Sequence, residues 1–144
     1  MKRLALAALL ATSLITVASS AASSTKAATL TAHSSRYGKI LFDGRGRVLY
    51  VFARDRGGRS SCYRACAKAW PPFLTKGAPH ALAGVNAKLL GTTKRSDGTL
   101  QVTYAKHPLY YFSEDTKPGQ ITCQNVSNFG ALWLVVAPSG EAVR

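Results

Sequence analysis

Lys39-Ile-Leu-Phe42 runs into the Gly-rich stretch Asp43-Gly-Arg-Gly46, and Arg47-Val-Leu-Tyr-Val-Phe52 follows. Two apolar runs around such a turn predict a β-hairpin. In the second run Val48, Tyr50 and Phe52 fall on one face and Leu49 and Val51 on the other. Both faces are apolar, so this strand is expected inside a sheet. Leu89 to Arg95, the turn Ser96-Asp97-Gly98 and Leu100 to Tyr104 predict a second hairpin, with Leu100, Val102 and Tyr104 alternating with Gln101 and Thr103. His107-Pro108 leads into the apolar run Leu109-Tyr-Tyr-Phe112, and a last strand is expected over Leu132 to Val136, ending at the turn Pro138-Ser-Gly140. Only one stretch, about residues 61–70, reads as helical. Ser60 or Ser61 is placed to cap it, Ala65, Ala67 and Ala69 favour it, and Pro71-Pro72 stops it.

The chain repeats itself. Displaced by 60 positions, Leu49-Tyr-Val-Phe-Ala-Arg-Asp55 falls on Leu109-Tyr-Tyr-Phe-Ser-Glu-Asp115, with four of the seven positions identical. With one residue inserted, Ser61-Cys62 falls on Thr122-Cys123, and a Trp follows in each half, Trp70 and Trp133. Repetition of this kind implies two copies of one β unit, about residues 37–75 and 87–140, that share a core. The expected fold is therefore mainly β: two pseudo-repeated antiparallel units around one core, with one short helix. Tyr50, Phe52, Tyr110, Phe112, Trp70 and Trp133 are expected to be core residues, because strand alternation sets them among apolar neighbours. Asp55 and Asp115 end the two motif strands ahead of turn-forming residues, where an aspartate accepts backbone N–H bonds and fixes the turn.

Tyr50-x-Phe52-x-x-Asp55 and Tyr110-x-Phe112-x-x-Asp115 resemble the Y-x-[FWY]-x-x-D motif of the bacterial secreted repeat of unknown function, a family of predicted lipoproteins. Ser60-x-Cys62, Cys66-Ala67 and Trp70-Pro71-Pro72 resemble its first repeat. Asp97-Gly98, Thr103-Tyr104, His107-Pro108-Leu109-Tyr110, Gly130 and Trp133 resemble its second. The resemblance implies an exported bacterial domain and assigns no activity. There is no lipobox cysteine, and Lys106 stands where glycine is usual in that family.

The N-terminus fits export. Met1-Lys-Arg3 is basic, Leu4 to Val17 carries no charge, and small residues dominate 18–28. These are the parts of a secretory signal peptide, read here as residues 1–22 with cleavage near Ala21 or Ala22. Fourteen uncharged residues fall short of the ~20 that span a bilayer, so no transmembrane span is expected in the mature chain. Residues 23–36, rich in Ser, Thr and Ala, are expected to form a flexible lead-in to a single domain over 37–144.

Charge narrows the partner. Nineteen Lys and Arg stand against six Asp and Glu, a net +13. Arg45, Arg47, Arg54, Arg56, Arg59, Arg64 and Lys68 fall within 24 positions that hold one acid, Asp55. Arg54, Arg56, Arg59 and Arg64 are the candidates for holding an anionic cell-envelope polymer or lipid headgroups. Export weighs against nucleic acid as the ligand. The chain has no Gly-x-Ser-x-Gly elbow, phosphate loop or His-Glu-x-x-His pair, and the reading is a non-enzymatic module that needs no cofactor. Three cysteines leave three possible pairings. The spacing favours a Cys62–Cys66 disulfide, whereas a twofold relation between the halves would bring Cys62 toward Cys123. The rival reading is a thiol-disulfide or metal-linked redox accessory built on Cys62, Cys66 and Cys123, with Arg59, Arg64 and Lys68 lowering a thiol pKa. His33, His80 and His107 show no metal-site spacing with these cysteines.

Overall fold

The computed structural model describes residues 26–144; the export signal expected over residues 1–22 lies outside the described residues. The strands are β1 (Thr29–Ser35), β2 (Gly38–Asp43), β3 (Tyr50–Phe52), β4 (Leu74–Thr75) and β5 (His80–Ala81), then β6 (Leu90–Lys94), β7 (Leu100–Tyr104), β8 (His107–Pro108), β9 (Val126–Asn128) and β10 (Ala131–Val135). Among the described residues there is one α-helix, α1 (Ala65–Ala69), between β3 and β4, and one 3-10 turn, Ala87–Leu89, before β6. Three small sheets run β2-β1-β5, β3-β10-β9 and β4-β7-β6, with β8 also pairing β7. The fold is mainly β, as expected, and the hairpin expected near 89–104 is present as β6 and β7, paired from Leu90↔Tyr104 to Lys94↔Leu100.

The lead-in is a correction. Residues 29–35 are not flexible: β1 pairs with β2 from Leu30↔Asp43 to Ser35↔Gly38, and β5 adds to its start in parallel, Thr29 opposite His80. Leu30 is fully buried and Ala32 nearly so. Two buried apolar residues are too few to write an alternating pattern, while Thr29 and Thr31 beside them suit a pleated strand. His33, expected in the lead-in, sits in β1 with its ring 5.7 Å from that of Phe42.

The two repeats meet at their tyrosines. Tyr50 N–H donates to the Tyr110 carbonyl at 2.8 Å, and Tyr110 N–H donates to the Tyr50 carbonyl at 2.9 Å. That exchange is the hydrogen-bonded pair of an antiparallel ladder, and it places a local twofold axis between the motif strands. On its other edge β3 pairs with β10, Tyr50 opposite Val135 and Phe52 opposite Trp133. The Leu109–Phe112 run, expected as a strand, forms single bridges at Tyr110 instead of a regular ladder. Its outer neighbour is the Trp-Pro-Pro segment: Tyr111 N–H donates to the Pro71 carbonyl and Phe73 N–H to the Leu109 carbonyl. Here the prolines offer only carbonyls to the neighbouring run, so their missing N–H groups cost this pairing nothing.

Alternation along these central strands separates two cores. Tyr50, Phe52, Trp70, Tyr110 and Trp133 pack with Ile40, Phe42, the Cys62–Cys66 pair, Ile121 and Val135 on one side. Leu49, Val51, Leu109 and Leu134 pack with Leu30, Leu41, Val102 and Tyr104 on the other. β3 is buried on both faces, the inner strand its apolar pattern implied.

The helix is five residues long, shorter than the expected 61–70, and neither Ser60 nor Ser61 caps it. Arg64 precedes it at φ 52 with no side-chain cap. Both serine hydroxyls are engaged elsewhere, Ser60 with Tyr110 and Arg95, Ser61 with Asp55.

The turn between β7 and β8 is strained. Tyr104 pairs His107 across Ala105 and Lys106, which have φ 47 and 64. This is the backbone of a two-residue type I′ turn, which favours glycine at its second position. The corresponding residue of the first repeat is Gly46, at φ 85. Lys106→Gly is expected to raise stability by about 0.5–1 kcal/mol, read as a shift of the urea midpoint. An unchanged or lowered midpoint would count against left-handed strain at Lys106.

Candidate functional site

Asp55 follows β3 by three residues and is buried. Its Oδ1 accepts the Ser61 N–H and the Ser61 hydroxyl, each at 2.8 Å, and its Oδ2 accepts the Tyr110 hydroxyl at 2.6 Å. Asp115 repeats the arrangement in the other half. Oδ1 accepts Thr122 N–H at 3.1 Å and the Thr122 hydroxyl at 2.6 Å, and Oδ2 accepts the Tyr50 hydroxyl at 2.5 Å. Each motif aspartate fixes the turn of its own repeat and binds the motif tyrosine of the other. The crossing goes with the antiparallel Tyr50–Tyr110 pair, which sets each tyrosine beside the motif segment whose aspartate its hydroxyl binds.

Burial pushes both tyrosine hydroxyls far above their usual pKa, and the facing carboxylates add to it. They therefore stay protonated and donate. Burial also pushes the Asp55 carboxyl up, against the hydrogen bonds from Tyr110 and Ser61 and the charge of Arg95. Arg95 is itself buried. Its guanidinium donates to Ser60 Oγ at 2.9 Å, Gln101 Oε1 at 2.7 Å and the Cys62 carbonyl at 2.7 Å. Sequence reasoning counted it only as a strand end. A third pair was also missed: the Tyr111 hydroxyl donates to Asp43 Oδ2, whose Oδ1 holds the N–H groups of Arg45 and Arg47 in the first Gly-rich turn.

The aromatics form a stack. The Trp70 and Trp133 rings lie 4.0 Å apart and nearly parallel, and Phe52 lies 4.2 Å from the other side of Trp133. Tyr110 meets Trp133 edge-on and Tyr50 meets Trp70 edge-on. Phe112 is half-buried, 4.7 Å from Trp70. This is a packed interior and offers no open face on which a ligand could stack.

Arg54, Arg56, Arg59, Arg64 and Lys68 are all exposed. Contacts draw several of them to one end of the β3–β10–β9 sheet. Ala53 N–H donates to the Leu132 carbonyl near the start of β10, and the Arg56 guanidinium donates back to the Ala53 carbonyl at 2.6 Å. Arg59 N–H pairs with the Arg56 carbonyl, and Gly58 packs against the Lys106 carbonyl. Arg47 is committed to the fold: it donates to the Asp115 and Phe112 carbonyls, with its guanidinium 4.2 Å over the Tyr111 ring.

Cys62 and Cys66 form a disulfide with a Cα–Cα distance of 5.2 Å, and Cys123 is free. The bond that a twofold relation offered between Cys62 and Cys123 is therefore not made. Burial, with the nearby Asp115 and Glu114 carboxylates, pushes the Cys123 thiol up, away from thiolate chemistry. Among the described residues no three His, Cys, Asp or Glu side chains come close enough to hold a metal ion. Two surface depressions of about 550 and 680 Å³ are lined by Lys26, Leu74, Lys76 and Thr99 and by Arg36, Phe42, Gln120 and Thr122, among others. No motif tyrosine, aspartate or tryptophan lines either.

Fold and motif geometry define a two-copy β module whose repeats lock each other through reciprocal tyrosine–aspartate pairs. The chain belongs to the family described as a secreted repeat of unknown function, whose model matches it twice, at residues 31–73 and 91–137. No curated protein and no solved structure matches it. The first match begins inside β1, in keeping with that strand's place in the repeat. Membership makes this an exported module of unknown ligand. No helix among the described residues is long and apolar enough to cross a membrane.

Proposed function

We propose that the protein is a non-enzymatic module that binds anionic components of the cell envelope, polymer or lipid headgroup, through its exposed basic side chains. One observation carries this reading: the fold withdraws acid and leaves base outside. Of the six acidic residues, Asp43, Asp55 and Asp115 are buried and held by tyrosines. Asp55 is the sole acid in the basic segment, so Arg54, Arg56, Arg59, Arg64 and Lys68 meet solvent without it. A sequence sum of charges understates such a surface, and a one-sign field attracts polyanions.

The redox rival has less support, since Cys62 and Cys66 are already bonded to each other and the Cys123 thiol is disfavoured as a nucleophile. The charge reading predicts that Arg54→Ser/Arg56→Ser/Arg59→Ser lowers retention on immobilised anionic polymer. The slope of log affinity against log salt should fall by about 2–3, one for each lost contact. Arg56 also bonds to backbone carbonyls, so the variant's thermal midpoint is measured alongside. An unchanged salt slope in a folded variant would sink the reading.

A further inference from the structure

The hairpin joining β9 and β10 turns through Phe129 and Gly130, at φ 53 and 85, between the paired residues Asn128 and Ala131. Both central residues are left-handed, the type I′ geometry whose favoured sequence is Asn-Gly. Gly130 suits it. Phe129 does not: a bulky side chain rarely adopts that backbone. Burial compensates only in part, for 38% of Phe129 stays exposed. Leu74 and Leu82 are the other large apolar residues exposed among those described, and neither has a left-handed backbone. A fold that holds an exposed aromatic in a disfavoured conformation, where Asn would be favoured and soluble, keeps it for something outside the protein.

The surroundings indicate what that is. The Arg54 guanidinium lies against the turn, with Nη1 3.8 Å from the position a β-carbon on Gly130 would occupy. The Arg56 guanidinium is drawn toward it through the Ala53 carbonyl, and Arg59, exposed, is three residues on. The end of the sheet therefore presents a partly exposed aromatic ring beside the Arg54 guanidinium, with the Arg56 guanidinium close by. A soluble polyanion satisfies the arginines and gains little from the ring. An anionic bilayer satisfies both, phosphates meeting the guanidinium groups while the ring enters the boundary between headgroups and acyl chains.

We propose that the β9–β10 tip is a membrane-docking site for anionic phospholipid, with Phe129 inserted and Arg54 and Arg56 on headgroup phosphates. This rests on the anion-binding reading above and narrows it to one partner.

The test uses the protein recovered after export and its variants Phe129→Asn and Phe129→Leu. Each is sedimented with vesicles of phosphatidylglycerol mixed with phosphatidylcholine, with phosphatidylcholine alone, and is passed over immobilised polyphosphate. Wild type is expected to partition to the anionic vesicles only. Phe129→Asn should lose roughly tenfold in partitioning, the scale of burying an aromatic side chain, while its thermal midpoint rises by about 3 °C or more as the turn relaxes. Phe129→Leu should keep most of the binding, and polyphosphate retention should be unchanged in both variants. Wild type bound to polyphosphate but not to vesicles would overturn the membrane inference and leave the anion-binding reading standing. Binding to neither would overturn both. Vesicle binding unchanged in Phe129→Asn, polyphosphate retention lost with it, or a lowered midpoint would each overturn the role given to Phe129.

Discussion

Asp115→Ala is expected to cost about 3–5 kcal/mol. The carboxylate accepts three hydrogen bonds, from the Thr122 N–H, the Thr122 hydroxyl and Tyr50, and it is 2% exposed. Alanine leaves the Tyr50 hydroxyl buried without that acceptor and frees the turn that Asp115 holds. An orphaned buried donor costs about 1–3 kcal/mol, and a bond to a charged acceptor is worth more than a neutral one. A typical domain of this size has a total stability of about 5–15 kcal/mol, so the variant should populate unfolded chain at modest urea. Tyr50→Phe removes one of the same bonds and should cost about 1.5–3 kcal/mol. In the double-mutant cycle the two losses should fall short of additive by at least about 1 kcal/mol. Additive losses would mean that the cross-repeat bond contributes nothing. Asp55→Ala should be milder, because the Tyr110 hydroxyl also lies 2.7 Å from Ser60 Oγ and can turn to it. Asp55 also makes stability depend on pH. Burial raises the folded pKa of Asp55 above its unfolded value, so its contribution is full below the ordinary carboxylate pKa and shrinks as pH rises through the folded value. Asp55→Asn should therefore compare better with wild type at pH 7 than at pH 3.

These pairs mark the boundary of what the sequence could tell. That Asp55 and Asp115 fix turns was legible, since each ends a strand before turn-forming residues. Which tyrosine each would hold was not: the displacement by 60 aligns Tyr50 with Tyr110 but says nothing about how the copies face each other. The crossing depends on an antiparallel pairing sixty residues apart. Arg95 was equally hidden, because its acceptors, Ser60, the Cys62 carbonyl and Gln101, come from two separate segments. In sequence it is one base among nineteen. The inner position of β3 was legible, because residues 48–52 are apolar at every step. β1 was not, since only Leu30 and Ala32 anchor it. The Phe129-Gly130 turn did carry a signal, a glycine between two short β-prone runs, but the family resemblance drew attention to Gly130 alone. The basic segment was legible as charge. Its force was not, because sequence cannot reveal that Asp43, Asp55 and Asp115 leave the surface.

Trp133→Ala is expected to cost at least about 4 kcal/mol and to leave the domain largely unfolded at 37 °C. Trp133 is fully buried in β10, its ring between Trp70 and Phe52 and its edge toward Tyr110. Deleting the indole removes one of the two largest side chains of the core and opens a cavity between the Trp70 ring, at the end of α1, and the Phe52 ring, on β3. Phe or Trp to Ala substitutions cost about 3–5 kcal/mol through lost transfer energy and incomplete collapse, and each lost aromatic pair adds about 0.5–1.5 kcal/mol. Urea denaturation reads the loss, with Trp70→Phe and Trp133→Phe as the discriminating variants. The Trp133 indole N–H donates to the Asn128 carbonyl at 3.1 Å, tying β10 to β9. The Trp70 indole N–H is buried with no partner. Phenylalanine therefore removes a satisfied hydrogen bond at 133 and an unsatisfied donor at 70. Trp133→Phe should be the more damaging by about 1–2 kcal/mol, although the two residues occupy equivalent places in the repeats. Equal costs would mean that the twofold relation extends to their polar environments and that the Trp70 donor has a partner after all.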